Sequence, residues 1–550
     1  MIMNQITALH QAFFTYLTTQ LGVSLVVAKR CSFDLNTDDQ KQQFGDISSN
    51  AAMLLSKELQ RNPREIAQEI AQNFTDPAIE KLEVAGPGFL NIFLTKKAFA
   101  QLAQELFEQK QTFFKPDATR DSKINIEFVS ANPTGPLHFG HGRGGIIGDV
   151  LSNVLTFLGN EVTKEFYIND AGLQMQKLGQ SLKIRYQQKA GMDSALPEDA
   201  YHGTYLIDLA NRLFADHGKK LLDQPDEFFT TYASTKLLEH IQKTLQDYGI
   251  QFDEWFSEQT LHQGAIEQIL AILKQKEHLH EKDGALWFTS TKFGDDKDRV
   301  VKKQDGTLTY AAADIAYMQD KINRGHNQLI YILGHDHHSY ATRLHSMRKA
   351  LGLEKNPLDV ILYQLVSMKE SGKTVRMSKR KGKIVTLQDV IDTVGPDVAR
   401  FFYLNRKADA QLEFNVDLAL TNTDENPVFY IQYAYVRTGS ILQKADAEQP
   451  LQDITAQDLE HLSQADNLLI KQVVLLKEML ETIEFNHQTH LLAYYTYELA
   501  QCFNRYYGKN KVINLQDVPL SRARLALTQI VRTTLSLCLD LLGISTPERM

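Results

Sequence analysis

Two histidines three residues apart form the chain's densest group of side chains that could do chemistry. They are His138 and His141, with Phe139 and Gly140 between them, in a glycine-rich segment from residue 127 to 145. On a helical turn, residues three apart share one face, so both imidazoles can donate hydrogen bonds to one phosphate chain. A helix N-terminus adds free N–H groups, and glycine lets a ligand approach them. The pattern predicts a nucleotide phosphate site, with tight helix packing by the glycines as the open alternative.

A basic run from residue 368 to 383 is the second candidate site. It contains seven Lys or Arg residues and a single acid, Glu370. Clustered cations beside Ser and Gly in a loop can wrap a polyphosphate and neutralise charge that develops in a transition state. A solvated basic loop is the alternative interpretation, and the run by itself favours that alternative.

The middle of the chain has the elements that would position both candidate sites. Short apolar strands are predicted at Ile124–Val129, Glu165–Ile168, Leu329–Leu333 and Val360–Leu365. Because they alternate with helical stretches, we expect a parallel α/β sheet in a domain at residues 116–395. Ligands bind such sheets at the carboxyl ends of the strands.

The rest of the chain shows three other patterns. Residues 1–115 mix helical and strand spacing, which predicts a small α+β domain, and a polar linker follows at 115–123. Residues 182–262 become helical and polar and interrupt the strand rhythm, which indicates a helical insertion. Residues 396–550 lose the strand signals, and their Leu-rich helical spacing predicts an all-α bundle.

The composition excludes several classes of protein. The 550 residues are 43% hydrophobic and 23% charged, the balance of a globular protein with several cores. The net charge of −8 gives no global positive field, so a polyanion site must be local. Three scattered cysteines suit a reducing compartment, and the N-terminus lacks a signal-peptide pattern. We expect a cytoplasmic protein without a membrane span.

The histidine segment and the basic run together resemble the HIGH and KMSKS signatures of class I aminoacyl-tRNA synthetases. Here these read His138-Phe139-Gly140-His141 and Arg376-Met377-Ser378-Lys379-Arg380. The string SANPTGPLH at residues 130–138 resembles the arginyl-tRNA synthetase family in particular, and similar segments lie at 167–172, 252–258, 309–317 and 426–434. The resemblance covers almost the whole chain. Arg376 and Arg380 depart from the family's Lys and Ser, and Arg binds phosphate as a fork where Lys is a point charge.

The resemblance implies a fold and a set of ligands. The fold would be a class I Rossmann-like catalytic domain at 116–395, with an N-terminal α+β additional domain at 1–115 that binds tRNA. A helical DALR-type anticodon-binding domain would follow at 396–550. The implied partners are tRNA-Arg, L-arginine and ATP with Mg²⁺, in a monomer that has no tightly bound cofactor.

The implied reaction is arginine–tRNA ligation. The carboxylate of arginine attacks the α-phosphorus of ATP, and arginyl-adenylate is then transferred to the terminal adenosine of tRNA. The catalytic residues would be His138, His141 and Lys379. The ATP site would comprise Thr134, His138, Gly140, His141, Met377, Ser378 and Lys379. The arginine site would comprise Glu127, Asn132, Tyr310, Asp314 and Asp336. The tRNA-binding residues would be Tyr430, Gln432, Tyr433, Tyr435 and Arg437.

Three alternatives stay open at this point. The segment from Gly334 to Ser339 holds three histidines and Asp336, and a metal site is possible there, although we expect a border of the arginine and ATP pocket and no protein-bound metal. Tyr430 and Tyr433 could be a core stripe of an amphipathic helix. The whole chain could also be a catalytically silent, tRNA-binding paralogue, although such a chain would be expected to lose its signature residues.

Overall fold

The protein forms two compact units. The computed structural model describes residues 5–116, 118–375, 385–451 and 453–550, without the side chains of residues 39, 374, 375 and 450. One unit comprises Met1–Thr119, Asn422–Asn486 and Leu491–Met550, and the other comprises Arg120–Thr421 with His487–His490. The N-terminal and C-terminal segments therefore belong to one unit, where the sequence predicts separate domains at 1–115 and 396–550.

The N-terminal segment is an α+β structure, as predicted. Its four strands form an antiparallel sheet in the order β1-β2-β4-β3. The turn Gly86-Pro87-Gly88 joins the last two strands, and positive φ angles of 53° and 140° explain its glycines. The elements are α1 Gln5–Thr19, α2 Leu25–Ala28, β1 Asp34–Leu35, β2 Ile47–Ser49, α3 Ala51–Leu59, α4 Pro63–Asn73, β3 Ile79–Ala85, β4 Phe89–Leu94 and α5 Lys96–Gln109.

The second unit is built on a five-stranded parallel sheet in the order β12-β11-β5-β6-β7. The central strand β5, Lys123–Phe128, is buried from Ile124 onward because both faces of the sheet are covered. In chain order, the elements from β5 to β12 are β5, α6 His141–Phe157, β6 Glu161–Ile168, α7 Leu173–Lys189, α8 Thr204–His217, α9 Asp226–Asp247, β7 Glu254–Ser257, α10 Ala265–Gln275, β8 Leu279–Lys282, β9 Ala285–Phe288, β10 Arg299–Lys302, α11 Tyr310–Asn323, β11 Gln328–Gly334, α12 His338–Leu351 and β12 Leu358–Tyr363. Strands β8, β9 and β10 form a separate antiparallel sheet. The four predicted strands all belong to the five-stranded parallel sheet.

The helical insertion is smaller than the sequence predicts at its C-terminal end. Helices α7, α8 and α9 pack together between β6 and β7. Residues Glu254–Ser257, inside the predicted insertion, form the edge strand β7 instead. The physical reason is aromatic packing on the sheet, where the ring of Trp255 stacks on Phe166 at 4.6 Å.

The described residues at the start of the basic run and after it belong to the sheet-containing unit, up to residue 421. They include β13 Val366–Glu370, β14 Lys373–Val375, α13 Leu387–Val394, α14 Pro396–Leu404, β15 Leu412–Asn415 and α15 Val416–Ala419. Strand β15 pairs in parallel with β13. On α14, the buried Arg400 bonds Asp149 at 2.5 Å and the carbonyl of Tyr248 at 2.9 Å. The predicted boundary at 395/396 is therefore corrected to 421/422, because the first helices after residue 395 pack on α6.

The C-terminal segment is helical, as predicted. It contains α16 Pro427–Asp446, α17 Gln464–Asn486, α18 His490–Lys509 and α19 Val518–Leu542. Helix α19 packs on α5 of the N-terminal segment, and Lys471 on α17 pairs with Asp46 at 3.0 Å, which explains why both ends of the chain form one unit. Helix α19 is long and apolar enough to match a membrane span, a stretch the sequence analysis missed, but 72% of its most apolar window is buried in the bundle.

Candidate active site

The predicted phosphate site lies where the central strand ends. Strand β5 leads through a loop into α6, so the loop lies at the carboxyl edge of the parallel sheet. Directly after the strand, Val129 and Ser130 have φ angles of +66° and +40°. A β-branched residue in this region is strained, and such strain is retained where a site needs a particular backbone path.

The two histidines lie against each other, with ring centroids 3.7 Å apart. The backbone N–H of His138 donates to Nδ1 of His141 at 3.2 Å, and the N–H of Gly140 donates to Nδ1 of His138 at 3.1 Å. Because each Nδ1 accepts a hydrogen bond, this network assigns the neutral ring proton of both residues to Nε2. Both Nε2–H groups are thus free of these backbone bonds and can donate to one anion.

The environment keeps both rings uncharged at neutral pH. Burial lowers the pKa of His138, and the nearby carboxylate of Asp336 raises it by less. Burial and the neighbouring His138 lower the pKa of His141 to about 3. The pair can therefore act as hydrogen-bond donors to phosphate without acting as cations.

Several glycines of the segment serve close packing, which was the open alternative. A Cβ on Gly142 would lie 2.7 Å from Leu387, one on Gly144 would lie 2.6 Å from Tyr363, and one on Gly148 would lie 2.3 Å from Phe128. Those contacts are too short for a side chain, so the three glycines seat α6 against its neighbours. The alternative is right for these glycines, while the histidine geometry supports the phosphate prediction.

The predicted arginine acids meet at the same edge of the sheet. Glu127 lies at the end of β5 and is 8% exposed. Its Oε2 accepts a hydrogen bond from the ammonium of Lys321 at 2.6 Å, and its Oε1 accepts one from the hydroxyl of Ser130 at 3.3 Å. Both oxygens of Glu127 therefore have partners within the protein, an ammonium on Oε2 and a hydroxyl on Oε1, and the sequence analysis did not identify either partner.

Asp314 lies on α11, one turn after Tyr310, and is half-buried. Burial raises the pKa of Asp314 to about 7, against a hydrogen bond from Tyr340 and the charge of Arg343, and the charges of Glu127 and Glu258 add to the rise. A carboxyl group with a pKa near 7 ionises readily when a cation binds beside it, because the opposite charge favours the ionised form. Tyr310 is 51% exposed, as a residue that contacts a ligand from the rim would be.

A third acid, Glu258, completes this group and was missed by the sequence analysis. It follows β7, and its Oε2 is buried with no hydrogen-bond partner in the described part of the chain. Burial raises the pKa of Glu258, against hydrogen bonds from Tyr167 and His262. Burial also raises the pKa of Tyr167, and the charges of Glu258, Asp314 and Glu127 add to it, so all three acids act on one hydroxyl. Its position directly after a strand was the signal that could have identified Glu258, because ligands bind at the carboxyl ends of the strands of such sheets.

The remaining predicted site residues surround this edge. Asn132 is exposed and donates to Gln174 at 2.9 Å. The carbonyl of Thr134 accepts a hydrogen bond from Tyr205 at 2.5 Å. Asp336 follows β11, is exposed, and is close enough for its charge to act on His138. The predicted residues Arg376, Met377, Ser378, Lys379 and Arg380 lie outside the described residues.

The comparisons with known proteins cover all three parts of the chain. A family model described as "tRNA synthetases class I (R), catalytic domain" matches residues 101–407, more than half of the chain. Models of the arginyl tRNA synthetase N terminal domain and the DALR anticodon binding domain match residues 26–94 and 431–550. The chain is 40% identical to the arginine–tRNA ligase of Bacillus subtilis (strain 168) over 514 residues, which is 92% of each protein.

The chain belongs to the arginine–tRNA ligase family. A second relative, from Syntrophotalea carbinolica, is 41% identical over 519 residues, 92% of this chain and 93% of that protein. The solved Thermus thermophilus arginyl-tRNA synthetase has the same fold, with a TM-score of 0.76 at 23% identity over 99% of this chain and all of that one. These findings confirm the family and the fold class that the resemblance implies, and they give no support to the silent paralogue.

In this arginine–tRNA ligase family member, the predicted tRNA residues lie on α16 beside α18. The ring of Tyr433 is 38% exposed, and the guanidinium of Arg437 lies 4.5 Å from its centroid. Arg437 also donates to Asn504 at 2.7 Å, and the ring of Tyr430 lies 5.5 Å from that of Tyr497. We call these residues, together with Tyr507, the aromatic face.

Two of the predicted tRNA residues have partners inside the unit. Tyr435 is 6% exposed beneath the guanidinium of Arg532, so its ring cannot stack on a base and that prediction is wrong. The side-chain amide of Gln432 donates to the carbonyl of Ser545 at 3.1 Å. The core-stripe alternative thus applies to Tyr435, while Tyr433 lies at the surface.

The histidine-rich segment after β11 was the one place where the sequence suggested a metal alternative. In the described ranges, no group of three or more His, Cys, Asp or Glu side chains is arranged to hold a metal ion. Rings of His335 and His338 lie 5.9 Å apart, and His337 lies 3.6 Å from Asp336. That a metal is not bound by the protein itself stays a prediction.

Proposed function

We propose that the protein activates L-arginine with ATP and transfers it to tRNA-Arg. The observation that carries this function is a convergence at one sheet edge. Two neutral histidines with Nε2–H donors follow β5, and three acids that act on Tyr167 follow the neighbouring strands or lie on α11. Donors for a phosphate chain therefore stand beside acids for a cationic amino acid, as adenylation of arginine requires.

The reaction requires little covalent chemistry from the protein itself. The carboxylate oxygen of arginine attacks the α-phosphorus of ATP, the bond to the bridging oxygen breaks, and pyrophosphate leaves. His138 and His141 would donate to the phosphate oxygens as charge develops on them. Lys379, with Met377 and Ser378, would add a cation from the basic run, and Thr134 and Gly140 would border the nucleotide. Mg²⁺ would enter bound to ATP and neutralise the phosphates.

Different side chains of the pocket would bind different groups of arginine. Burial raises the pKa values of Asp314 and Glu258, although Arg343 acts against the rise at Asp314 and His262 acts against it at Glu258. A guanidinium would supply a positive charge and could bind in a bidentate manner. Asn132 and Asp336 would hold the amino acid's backbone groups, and Tyr310 would cover the side chain from the rim.

The unit that contains both ends of the chain would bind tRNA. The aromatic face offers an exposed ring at Tyr433, with the half-buried Tyr430 and Arg437 beside it, and exposed rings stack on unpaired bases. Gln432 would contribute by holding the C-terminal segment rather than a base. We place the additional domain at residues 1–115, and we propose a cytoplasmic monomer that does not bind a membrane.

The test is ATP-dependent charging of total tRNA with each of the twenty amino acids. Pyrophosphate exchange is measured in parallel, with and without tRNA. We expect charging by arginine alone. Charging with a different amino acid would refute the substrate, and intact tRNA binding without any charging would favour the silent paralogue.

A further inference from the structure

A fully buried lysine lies beneath the proposed arginine pocket. Lys321, on α11, is 0% exposed, and its Nζ lies 2.6 Å from Oε2 of Glu127 and 3.6 Å from Oε1 of Glu165. The rings of Tyr317 and Tyr331 lie 4.3 Å from the same ammonium. A buried ammonium is costly unless it is paired, so these contacts must offset its loss of hydration.

Lys321 belongs to a larger group of charged side chains. Glu165 also accepts hydrogen bonds from Arg324 at 2.6 Å and from Asn125 at 3.0 Å, and the hydroxyl of Tyr317 donates to it. Burial opposes ionisation, but Lys321 and Arg324 lower the pKa of Glu165 to about 2. Arg324 also pairs with Asp320 at 2.7 Å, so three carboxylates and two cations are connected, and Arg324 can hold Glu165 even when Lys321 is absent.

Glu127 is the carboxylate that links the network to the pocket, and Tyr317 of the network also packs on Tyr167 at 4.6 Å. That carboxylate has one oxygen on Lys321, and the other faces Ser130 in the strained segment after β5. In the same pocket, the negative charges of Glu127 and Glu258 both act on Asp314 and raise its pKa. Without Lys321, Glu127 would be an uncompensated charge next to two more acids, and its carboxylate could rotate.

We propose that Lys321 is a positioning residue for arginine recognition. Its ammonium fixes the carboxylate of Glu127 so that only Oε1 faces the substrate, and it cancels one of the pocket's three negative charges. The substrate's cation is then left to pair with Asp314 and Glu258. This inference rests on the proposed arginine pocket, and it assigns a role to a residue 194 positions away from Glu127 in the chain.

The alternative is a buried ion pair that serves only stability. Such a pair would change the unfolding temperature when it is removed, and it would affect the enzyme's substrates alike. A matched control exists in the same unit, where the ammonium of Lys164 lies 2.7 Å from Asp149 and its side chain is 19% exposed. Asp149 keeps a second cation, Arg400, when Lys164 is replaced, and Glu165 keeps Arg324 when Lys321 is replaced, whereas Glu127 loses the ammonium that pairs with it.

The experiment compares Lys321→Met with Lys164→Met in the full-length enzyme. KM values for arginine and for ATP are measured in the tRNA-charging assay, with Asp314→Asn as the test of the pocket. We expect Lys321→Met to raise the arginine KM on the order of tenfold or more, the scale for loss of one partner of a buried charge pair. The ATP KM should change less than about twofold, and Lys164→Met should leave both constants near the wild-type values.

A double variant keeps the inference open to refutation if Lys321→Met does not fold. Glu127→Gln with Lys321→Met removes both members of the pair, so no unpaired charge remains at Glu127. Because Lys321 acts through Glu127, adding Lys321→Met to Glu127→Gln should raise the arginine KM less than about twofold. An arginine KM unchanged in folded Lys321→Met, equal losses for ATP and arginine, or full additivity in the double variant would each overturn the inference. An unchanged arginine KM in Asp314→Asn would instead overturn the pocket.

Discussion

Lowering the pH from 8 to 6 should weaken arginine binding about tenfold, because Asp314 must be ionised to pair with a cation. Burial raises the pKa of Asp314 to about 7 in the free enzyme. The substrate's positive charge lowers that pKa, so arginine binds the ionised form and releases a proton from the protonated one. Affinity therefore rises with pH through about 7 and levels off above it.

The magnitude follows from the ionised fraction. With a pKa of about 7, about nine-tenths of Asp314 is ionised at pH 8 and about one-tenth at pH 6. The groups that face Asp314 are the hydroxyls of Tyr340, Tyr331 and Tyr167, the guanidinium of Arg343 and the acids Glu127 and Glu258. Burial lowers the pKa values of both phosphate-side histidines, and His141, with a pKa of about 3, stays neutral throughout this range.

The assay is the arginine KM in tRNA charging, measured between pH 6 and 8.5 at saturating ATP and tRNA. The Asp314→Asn variant should bind arginine weakly at every pH and lose the slope. The ATP KM, measured in the same series, controls for a general loss of activity. A flat arginine KM in the wild type, or the same slope in Asp314→Asn, would refute the reasoning.

Three further predictions concern other parts of the chain. His138→Ala should slow adenylate formation on the order of 10²-fold, the scale for loss of one transition-state donor; the pyrophosphate exchange rate at saturating substrates measures it, and an unchanged rate would remove the donor role. Tyr433→Ala should raise the tRNA KM roughly tenfold by loss of about 1–3 kcal/mol of stacking, while the arginine and ATP KM values stay constant; an effect on all three substrates would contradict this. Gly148→Ala should destabilise the sheet-containing unit by roughly 1–3 kcal/mol because its Cβ would overlap Phe128; thermal unfolding measures the loss, and Ala tolerated at full stability would show that α6 can shift.

Local patterns in the sequence predicted those parts of the site that depend on neighbours in the chain. His138 and His141 are three residues apart, so one helical turn suffices to bring their rings together. The apolar run at Ile124–Val129 predicted a strand of a parallel sheet, and β5 in the five-stranded parallel sheet bears this out. A pattern of this kind requires only the period of a helix or strand, which short segments already carry.

The boundary at residue 395 shows where local patterns stop being informative. Residues 396–404 form a helix, as predicted, but a helix has no local mark of the domain that it joins. Arg400 pairs with Asp149, 251 positions earlier, and this contact assigns the helix to the sheet-containing unit. The predicted insertion extended too far for the same reason, since β7 is a strand only because β6 lies beside it.

The sequence alone determined the family, the class of fold and the histidine pair, because motifs and periodicities are properties of consecutive residues. Only the tertiary structure decided how the acids are used. Glu127 and Lys321 lie on different elements, and Glu258 becomes a pocket residue because β7 takes the edge of the sheet. Charge pairing in the interior depends on distances of 3 to 4 Å, and such distances between remote residues exist only once the sheet and α11 have packed together.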